Sequence, residues 1–401
     1  MSLINEYDYL LPKEKIAYNP LSNRDLSKLL VYEEGIISDT LFQNVAHYLP
    51  ANSLMVRNNT RVFPARINFH IQDKLVEIFC LQPISELIDF QNALQNKSPV
   101  RWKCLIGNAR SWKPQSILTF SDESITLHIK YLKKVGDYFE LEFEWQPKDL
   151  SFLEVLNLVG KTPLPPYIKR AENENDKKRY QTIYAKNIGS VAAPTAGLHF
   201  TESILQQLHK QNITIAELTL HIGAGTFKPI TTQNIEEHIM HPEPFSIPIS
   251  LIELLLENDF VTAIGTTTLR TLESLYWCGV QSLEIKNIDN QFYIKQFPYL
   301  EYNKPLPNKK EVLDRILTYL KERNLNELRG ITQLYILPNY RFQFAKELIT
   351  NFHQPKSTLL LLIAAFVGEG WRKIYAHALE NDYRFLSFGD GSLLFRKGFE
   401  V

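Results

Sequence analysis

The chain has 401 residues, 44% of them hydrophobic, which fits a packed globular protein with room for more than one core and excludes a disordered one. Lys plus Arg and Asp plus Glu balance at 44 each, so a general affinity for polyanions is excluded and any nucleic-acid site must be a local patch. The three cysteines, Cys80, Cys104 and Cys278, are too few and too far apart for a disulfide framework or a zinc knuckle.

The opening MSLINEYDYLLPKEK has no basic end followed by an apolar stretch, so a signal peptide is not expected. Residues 52–60, NSLMVRNNT, read as a strand. From about Ile67 to Trp145 the runs LVEIFCL, RWKCLIG, SILTF, ITLHIKYL and YFELEFEW are rich in β-branched and aromatic residues and separated by polar, Gly or Pro punctuation. Strands clustered in this way predict a small antiparallel barrel or sandwich. After Val159 strands alternate with helices. ITIAELTLHI, VTAIG and QLYIL (Gln333–Leu337) read as strands; Glu202–Lys210, Leu251–Glu257, Leu269–Tyr276, Leu313–Glu322 and Lys356–Val367 read as helices. The expected fold class is α/β: a layered α/β domain, residues 1–66 and 156–401, interrupted by an inserted small β-barrel domain, residues 67–155. The longest apolar run, LLLLIAAFV (Leu359–Val367), is too short to cross a bilayer, so a cytoplasmic protein without a membrane partner is expected.

In an open α/β sheet, ligands bind where strands end and helices begin, because backbone N–H groups and helix dipoles converge there. Four such junctions carry unusual chemistry. GSVAAPTAGLHFTESIL leads from a strand, SVAA, into a helix near Thr201 and brings together Thr195, Gly197, His199, Phe200 and Thr201. LTLHIGAGTFKPI places His221, Gly223, Gly225 and Thr226 at a tight turn; the third glycine of a dinucleotide fingerprint is missing. AIGTTTLRTLES follows Gly265 with Thr266, Thr267, Thr268, Arg270 and Glu273 at a helix start, suited to a carboxylate or to ribose hydroxyls. ITNFHQPKSTLLLLIAAF crowds Asn351, His353, Lys356, Ser357 and Thr358 around a helix N-terminus, with Pro355 fitting the first turn.

Each residue also has a plain structural reading. A histidine in such a turn can be a hydrogen-bonding support, the glycines ordinary turn residues, the threonines helix caps, and Arg270 with Glu273 a surface pair. Recurrence of the same residue types at four junctions favours a site. EEHIMHPEP invites a metal reading through His238 and His241, but lacks the i, i+4 histidine pair of the zinc metalloproteases. Two basic stretches suit RNA phosphates. Lys97–Lys113 holds Lys97, Arg101, Lys103, Arg110 and Lys113 with no acid, interleaved with Trp102 and Trp112 as possible base-stacking platforms. Lys161–Lys186 includes Lys169, Arg170 and Arg179. A solvated loop is the alternative for both.

With these residues in view, the chain resembles the S-adenosylmethionine:tRNA ribosyltransferase-isomerases of queuosine biosynthesis. Nine ordered blocks carry the resemblance: YDYLLPKEKIAYNPLSNRDLSKLLV, NNTRVFPARI, PLPPYIKR, RYQTIYAKNIGSVAAPTAGLHFT, TLHIGAGTFKPI, HIMHPEPF, GTTTLRTLES, LITNFHQPKSTLL and YRFLSFGD. The resemblance implies an α/β domain interrupted by a β-barrel. It implies transfer of the ribosyl part of S-adenosylmethionine to 7-aminomethyl-7-deazaguanine at the tRNA wobble position, giving epoxyqueuosine, adenine and methionine. It implies tRNA and S-adenosylmethionine as partners and no metal or redox cofactor. A monomer is expected.

Mapped onto that chemistry, His199, His221 and His353 are the acid–base candidates, because imidazole titrates near neutrality. Phe200, Phe227 and Phe352 are candidate aromatic faces for the sulfonium. Arg270 or Lys356 would seat the donor carboxylate, and Asn58, Asn59, Arg61 and Arg66 another polar wall. Four departures from the family pattern concern mostly the acceptor: IGNARSWKP (106–114) replaces a glycine-containing basic turn, PNYRF places Asn339 where the family usually has Gly, FGDGSLLF differs from the usual ending after the Gly-Asp, and about thirty extra residues lie between Glu273 and Gln333. A paralogue acting on another nucleoside, a His/Glu metal hydrolase built on His221, His238 and His241, and a non-catalytic RNA-binding module are the alternatives.

Overall fold

The computed structural model describes residues 3–71, 73–85, 89–112, 116–227, 229–284 and 291–396. In chain order the strands are β1 (Lys28–Glu33), β2 (Ile36–Leu41), β3 (Leu54–Asn58), β4 (Thr60–Val62), β5 (Arg66–Ile71), β6 (Lys74–Pro83), β7 (Val100–Gly107), β8 (Ile117–Ser121), β9 (Thr126–Val135) and β10 (Tyr138–Gln146). They continue as β11 (Asn187–Ser190), β12 (Thr214–Leu220), β13 (Glu243–Pro248), β14 (Val261–Ile264), β15 (Phe292–Ile294), β16 (Glu327–Thr332), β17 (Glu347–Asn351) and β18 (Gly391–Phe395). The chain forms two compact units, residues 1–59, 181–185 and 194–401, and residues 60–180 and 186–193.

The larger unit is a mixed α/β structure on a sheet of order β15-β16-β13-β12-β3-β14-β17-β18-β1-β2. At its centre β12, β3, β14 and β17 run parallel, with Leu218 beside Asn58 and Ile264 beside both Arg57 and Ile349. Every residue of β14 and β17 is buried, as expected of strands covered on both faces. Helix Thr266–Glu284 is buried along nearly its whole length and packs against helix Lys309–Glu322. At Gly279 a Cβ would lie 1.9 Å from Val312 Cγ1, so only glycine permits that approach. Much of the extra segment after Glu273 is therefore built into the core.

The smaller unit is a barrel-like antiparallel sheet of six strands, order β5-β6-β7-β10-β9-β8, together with the parallel pair β4 and β11. It extends beyond the expected insertion of 67–155 on both sides. Its core is aromatic. Trp102 is buried and packs on Phe63, Phe90 and Phe152, with ring centroids 5.2–6.0 Å apart. Trp112 is also buried, its indole N–H donating to the Ser116 carbonyl. Neither ring is a surface stacking platform. Alternation along RWKC turns Arg101 and Lys103 the other way, so the charge pattern was legible but the tryptophans belong to the inner face.

Three element boundaries differ from expectation. QLYIL is not a strand, although the Gln333 and Tyr335 N–H groups still donate to the Ile294 and Gln296 carbonyls; β16 is the amphipathic ELRGIT, with Leu328, Gly330 and Thr332 buried. The strand read at SVAA ends at Ser190. The helix expected from Lys356 starts at Thr358: Lys356 takes a left-handed φ of 53°, Ser357 is the N-cap and accepts from the Leu360 N–H at 3.2 Å, and Pro355 precedes the helix. Asn339 adopts the left-handed backbone expected of it, at φ 73°. Replacing Trp102 with Ala is expected to lower stability by about 3–5 kcal/mol. Urea denaturation checks this, and an unchanged midpoint would mean that the ring is not part of the core.

Candidate active site

Because β12, β3, β14 and β17 are parallel neighbours, their chains all leave the sheet at the same end. His221 to Phe227 follow β12, Asn59 follows β3, Gly265 and the helix from Thr266 follow β14, and Phe352 to Ser357 follow β17. The remaining junction reaches this end through side chains. In the turn Thr195–His199, the Thr195 hydroxyl donates to Asn351 Oδ1 at 2.8 Å, and Asn351 Nδ2 lies 3.2 Å from His199 Nε2. With its oxygen engaged by Thr195, the Asn351 amide turns its NH2 to the imidazole, so Nε2 accepts and Nδ1–H donates to Ser27 Oγ at 2.8 Å. The ring also stacks on Phe42 at 4.6 Å. Gly197 serves a close approach: a Cβ there would lie 2.0 Å from Tyr184 Oη.

A cleft open to solvent is lined from these junctions by Gly225, Thr266, Thr267, Arg270 and Thr358. His238, His241 and Glu243 line it too, with Met240, Leu334, Tyr335, Ile336, Leu359 and Leu362 as a largely apolar wall. Glu243 organises the polar side. It accepts from the Gly223 N–H at 3.0 Å and forms a buried ion pair with Arg270. Arg270 and Glu273 are therefore not a surface pair. Glu273 is buried elsewhere and binds the Gln343 and Phe344 N–H groups and the Tyr340 hydroxyl; burial pushes its carboxyl up to about 7 against the pull of those donors. Gly225 lies flat against His241, where a Cβ would sit 1.9 Å from Cδ2. Two buried hydroxyl oxygens of the cleft residues, Thr267 Oγ1 and Tyr335 Oη, have no hydrogen-bond partner among the described residues. Burial raises the Tyr335 phenol, so it stays protonated and can donate.

The other expected residues are placed as follows. His353 is buried, its Nε2 3.0 Å from Thr350 Oγ1, its backbone N–H donating to Tyr375 Oη and its backbone carbonyl accepting from the Tyr9 hydroxyl. His221 is half-buried at the end of β12, its backbone N–H donating to the Pro244 carbonyl. Asn58 bridges β3 to β12, donating to the Leu220 carbonyl at 3.0 Å and accepting from its N–H at 3.1 Å. Asn59 donates to Glu217, which also holds Arg57, and accepts from the Thr219 hydroxyl. Lys356 pairs with Asp8 at 2.8 Å. Phe200 and Phe352 are core residues, the latter packed on Tyr375, Tyr383 and Phe385. The backbone of Thr226 and Phe227 lies in the turn Ala224–Phe227; their side chains fall outside the described residues.

In the smaller unit, Arg61 is exposed on β4, and Arg66 pairs with Glu77 and donates to the Leu164 carbonyl. Of the RNA candidates, Arg110 and Lys169 are exposed, and Lys103 and Arg179 are half-buried. Arg101 is engaged by Glu142 at 2.7 Å. Arg170 makes a bidentate pair with the buried Asp176 at 2.7 and 2.8 Å, an internal clamp. Lys113 lies outside the described residues. Among the described residues, no three His, Cys, Asp or Glu side chains are grouped as metal ligands, and no helix is long and apolar enough to cross a membrane.

Apart from the metal-hydrolase alternative, the sequence assigned no role to His238, His241, Glu243 or Tyr335, which line the cleft. The first three stand together in HIMHPEP, a spacing weighed only for metal. Their signal was the position of β13 next to β12, which returns that segment to the same sheet end. Tyr335 carried no signal, because its segment read as a strand.

Burial pulls His199 down to about 4 and His353 to about 3, against an unfolded value near ~6.5. Both folded-state values are depressed, so the stability contributed by the neutral rings is fully present above about pH 6.5 and is lost as pH falls through the folded values. His199→Gln is expected to flatten the fall in unfolding free energy between about pH 6.5 and 4, a share on the order of 3 kcal/mol. Urea titrations at stepped pH read this out.

The family model described as queuosine biosynthesis protein matches residues 4–394. The S-adenosylmethionine:tRNA ribosyltransferase-isomerase of Halothermothrix orenii is 36% identical, with 98% of this chain and 99% of the relative covered. The protein of the same name from an Azoarcus species is 35% identical over 98% and 97%. A crystal structure of S-adenosylmethionine tRNA ribosyltransferase from Thermotoga maritima covers 97% of this chain and all of its own at 26% identity, with a TM-score of 0.45. Matched by that family model over nearly its full length, and by relatives more than 30% identical from end to end, the chain belongs to the queuosine biosynthesis protein family.

Proposed function

We propose that the protein transfers and isomerises the ribosyl part of S-adenosylmethionine onto 7-aminomethyl-7-deazaguanine at the wobble position of tRNA, releasing adenine and methionine, and that the cleft at the strand ends holds the donor. The observation that carries the assignment of the cleft is the pair of unpartnered buried hydroxyls, Thr267 Oγ1 and Tyr335 Oη. A desolvated hydroxyl without a partner costs free energy, and a polar ligand removes that cost. The wall of Met240, Leu334, Ile336, Leu359 and Leu362 suits the faces of a purine. The Tyr335 ring, in place of the core rings Phe200 and Phe352, offers the sulfonium an aromatic face. Arg270, balanced by Glu243, keeps the polar side in register.

In this reading His199 and His353, Thr195 and Asn351, and Asn58 and Asn59 hold the strand ends in place, and Gly197 admits the Tyr184 hydroxyl. The tRNA meets exposed cations of the smaller unit, Arg110 and Lys169 foremost. S-adenosylmethionine is a substrate; the reading includes no metal or redox cofactor. It places the enzyme in the cytoplasm as a monomer.

Incubation with S-adenosylmethionine and tRNA carrying the aminomethyl-deazaguanine base, followed by nucleoside mass analysis, is expected to yield epoxyqueuosine and free adenine. Saturable tRNA binding without adenine release would reduce the protein to an RNA-binding module. Thr267→Val and Tyr335→Phe are each expected to weaken donor binding by about 5- to 30-fold while leaving the melting temperature unchanged or higher, because neither hydroxyl has a partner to lose among the described residues. Calorimetric titration paired with thermal unfolding separates the two effects. Arg110→Ala and Lys169→Ala should each reduce the salt dependence of tRNA binding by about one unit of log–log slope. A His221→Ala variant with intact single-turnover transfer would remove that side chain from the mechanism.

A further inference from the structure

Residues 238–240 form one part of the cleft wall, and their backbone is held by side chains instead of by a neighbouring strand. β13 and β16 pair antiparallel from Pro248 opposite Glu327 to Glu243 opposite Thr332. The residue before Glu243 is Pro242, which has no N–H to offer a ladder, and the pairing ends there. Two glutamines take over beyond it. Gln296, just past β15, accepts from the Met240 N–H through Oε1 at 3.0 Å and donates from Nε2 to the His238 carbonyl. Gln333, just past β16, donates from Nε2 to the Met240 carbonyl at 2.7 Å, and its Oε1 accepts from the Tyr293 hydroxyl. His238 and Met240 line the cleft while Ile239 between them is 75% exposed, the alternation of an extended chain. The same glutamines secure a second part of the wall. The Tyr335 N–H donates to the Gln296 carbonyl at 3.0 Å, and the Gln333 N–H to the Ile294 carbonyl at 2.9 Å. Leu334, Tyr335 and Ile336 follow Gln333 directly and line the cleft, and the edge of the Tyr335 ring meets that of His238 with centroids 5.9 Å apart.

We propose that Gln296 and Gln333 are positioning residues for the donor: by pairing with the backbone of 238–240 they fix His238 and Met240 relative to the segment that carries Tyr335. This rests on the donor occupying the cleft. Neither glutamine is among the residues that line it, so both act through the wall they hold. Gln296 joins the two parts of that wall in one residue, one part through its side chain and the other through its own carbonyl. Both side chains are half-buried, so water can replace their bonds when they are removed, and the segment loosens locally while the fold persists. Binding must then order the segment before the wall can meet a ligand, and affinity falls by the fraction of molecules that lack the competent arrangement.

The test pairs hydrogen exchange in the donor-free protein with calorimetric titration of S-adenosylmethionine. Gln296→Met keeps the side-chain length and removes both of its bonds. It should speed exchange at the Met240 amide by about tenfold. It should also weaken donor binding by about 5- to 20-fold, with tRNA affinity held within about twofold. Gln333→Met leaves the Met240 N–H bonded but frees its carbonyl, and should weaken donor binding by about 3- to 10-fold; it carries the comparison if Gln296→Met does not fold. A purely structural role would lower the melting temperature while the folded protein kept its donor affinity. Donor affinity within about twofold of the unsubstituted protein in either folded variant overturns the proposal, as does unchanged Met240 exchange in Gln296→Met. Equal loss of donor and tRNA affinity overturns it too, since general loosening would then be the cause. If the unsubstituted protein does not bind S-adenosylmethionine at all, the functional reading falls and takes this assignment with it, whatever the exchange at Met240 reports about the segment.

Discussion

Parallel pairing of β12, β3, β14 and β17 decides where the larger unit can act. Neighbouring strands stand about 4.8 Å apart, so four chain exits fall within about 15 Å at one end of the sheet. Helix Thr266–Glu284 starts directly from one of those exits, and helix Thr358–Val367 follows another after a short loop. Without that shared direction Thr267, Arg270 and Gly225 would have no reason to meet. β13 returns antiparallel beside β12 and brings the histidine segment to the same end.

The polar residues around the strand ends divide into two kinds. One kind is spent on the scaffold: Asn58 copies a backbone pairing between β3 and β12, Asn59 joins the Glu217–Arg57 cluster, and Asn351 ties His199 to Thr195. Removing one partner from such a network leaves a buried donor or acceptor unpaired, which is why these networks rigidify a site without touching a ligand. The other kind belongs to residues that line the cleft, Thr267 and Tyr335, whose buried hydroxyls have no partner among the described residues. An inventory of polar residues cannot distinguish the two, because both put the same residue types at the same junctions.

The smaller unit repeats the lesson with charge. Arg170 lies in a basic stretch but is clamped by a buried carboxylate, and Trp102 lies between cations but fills the core. Exposed Arg110 and Lys169 keep the character their sequence suggests.

Taken alone, the sequence determined the class of architecture, the inner location of the apolar runs, the four junctions and the resemblance, because hydrophobic period and turn chemistry act over a few residues. It also anticipated the left-handed backbone at Asn339. Only the tertiary structure decided which histidines line the cleft. His199 and His353 are sealed by partners 150 or more residues away or by the core around them, and His241 meets Gly225 because β12 and β13 pair. Burial and side-chain partnership are set by contacts between distant segments, and no local pattern encodes those.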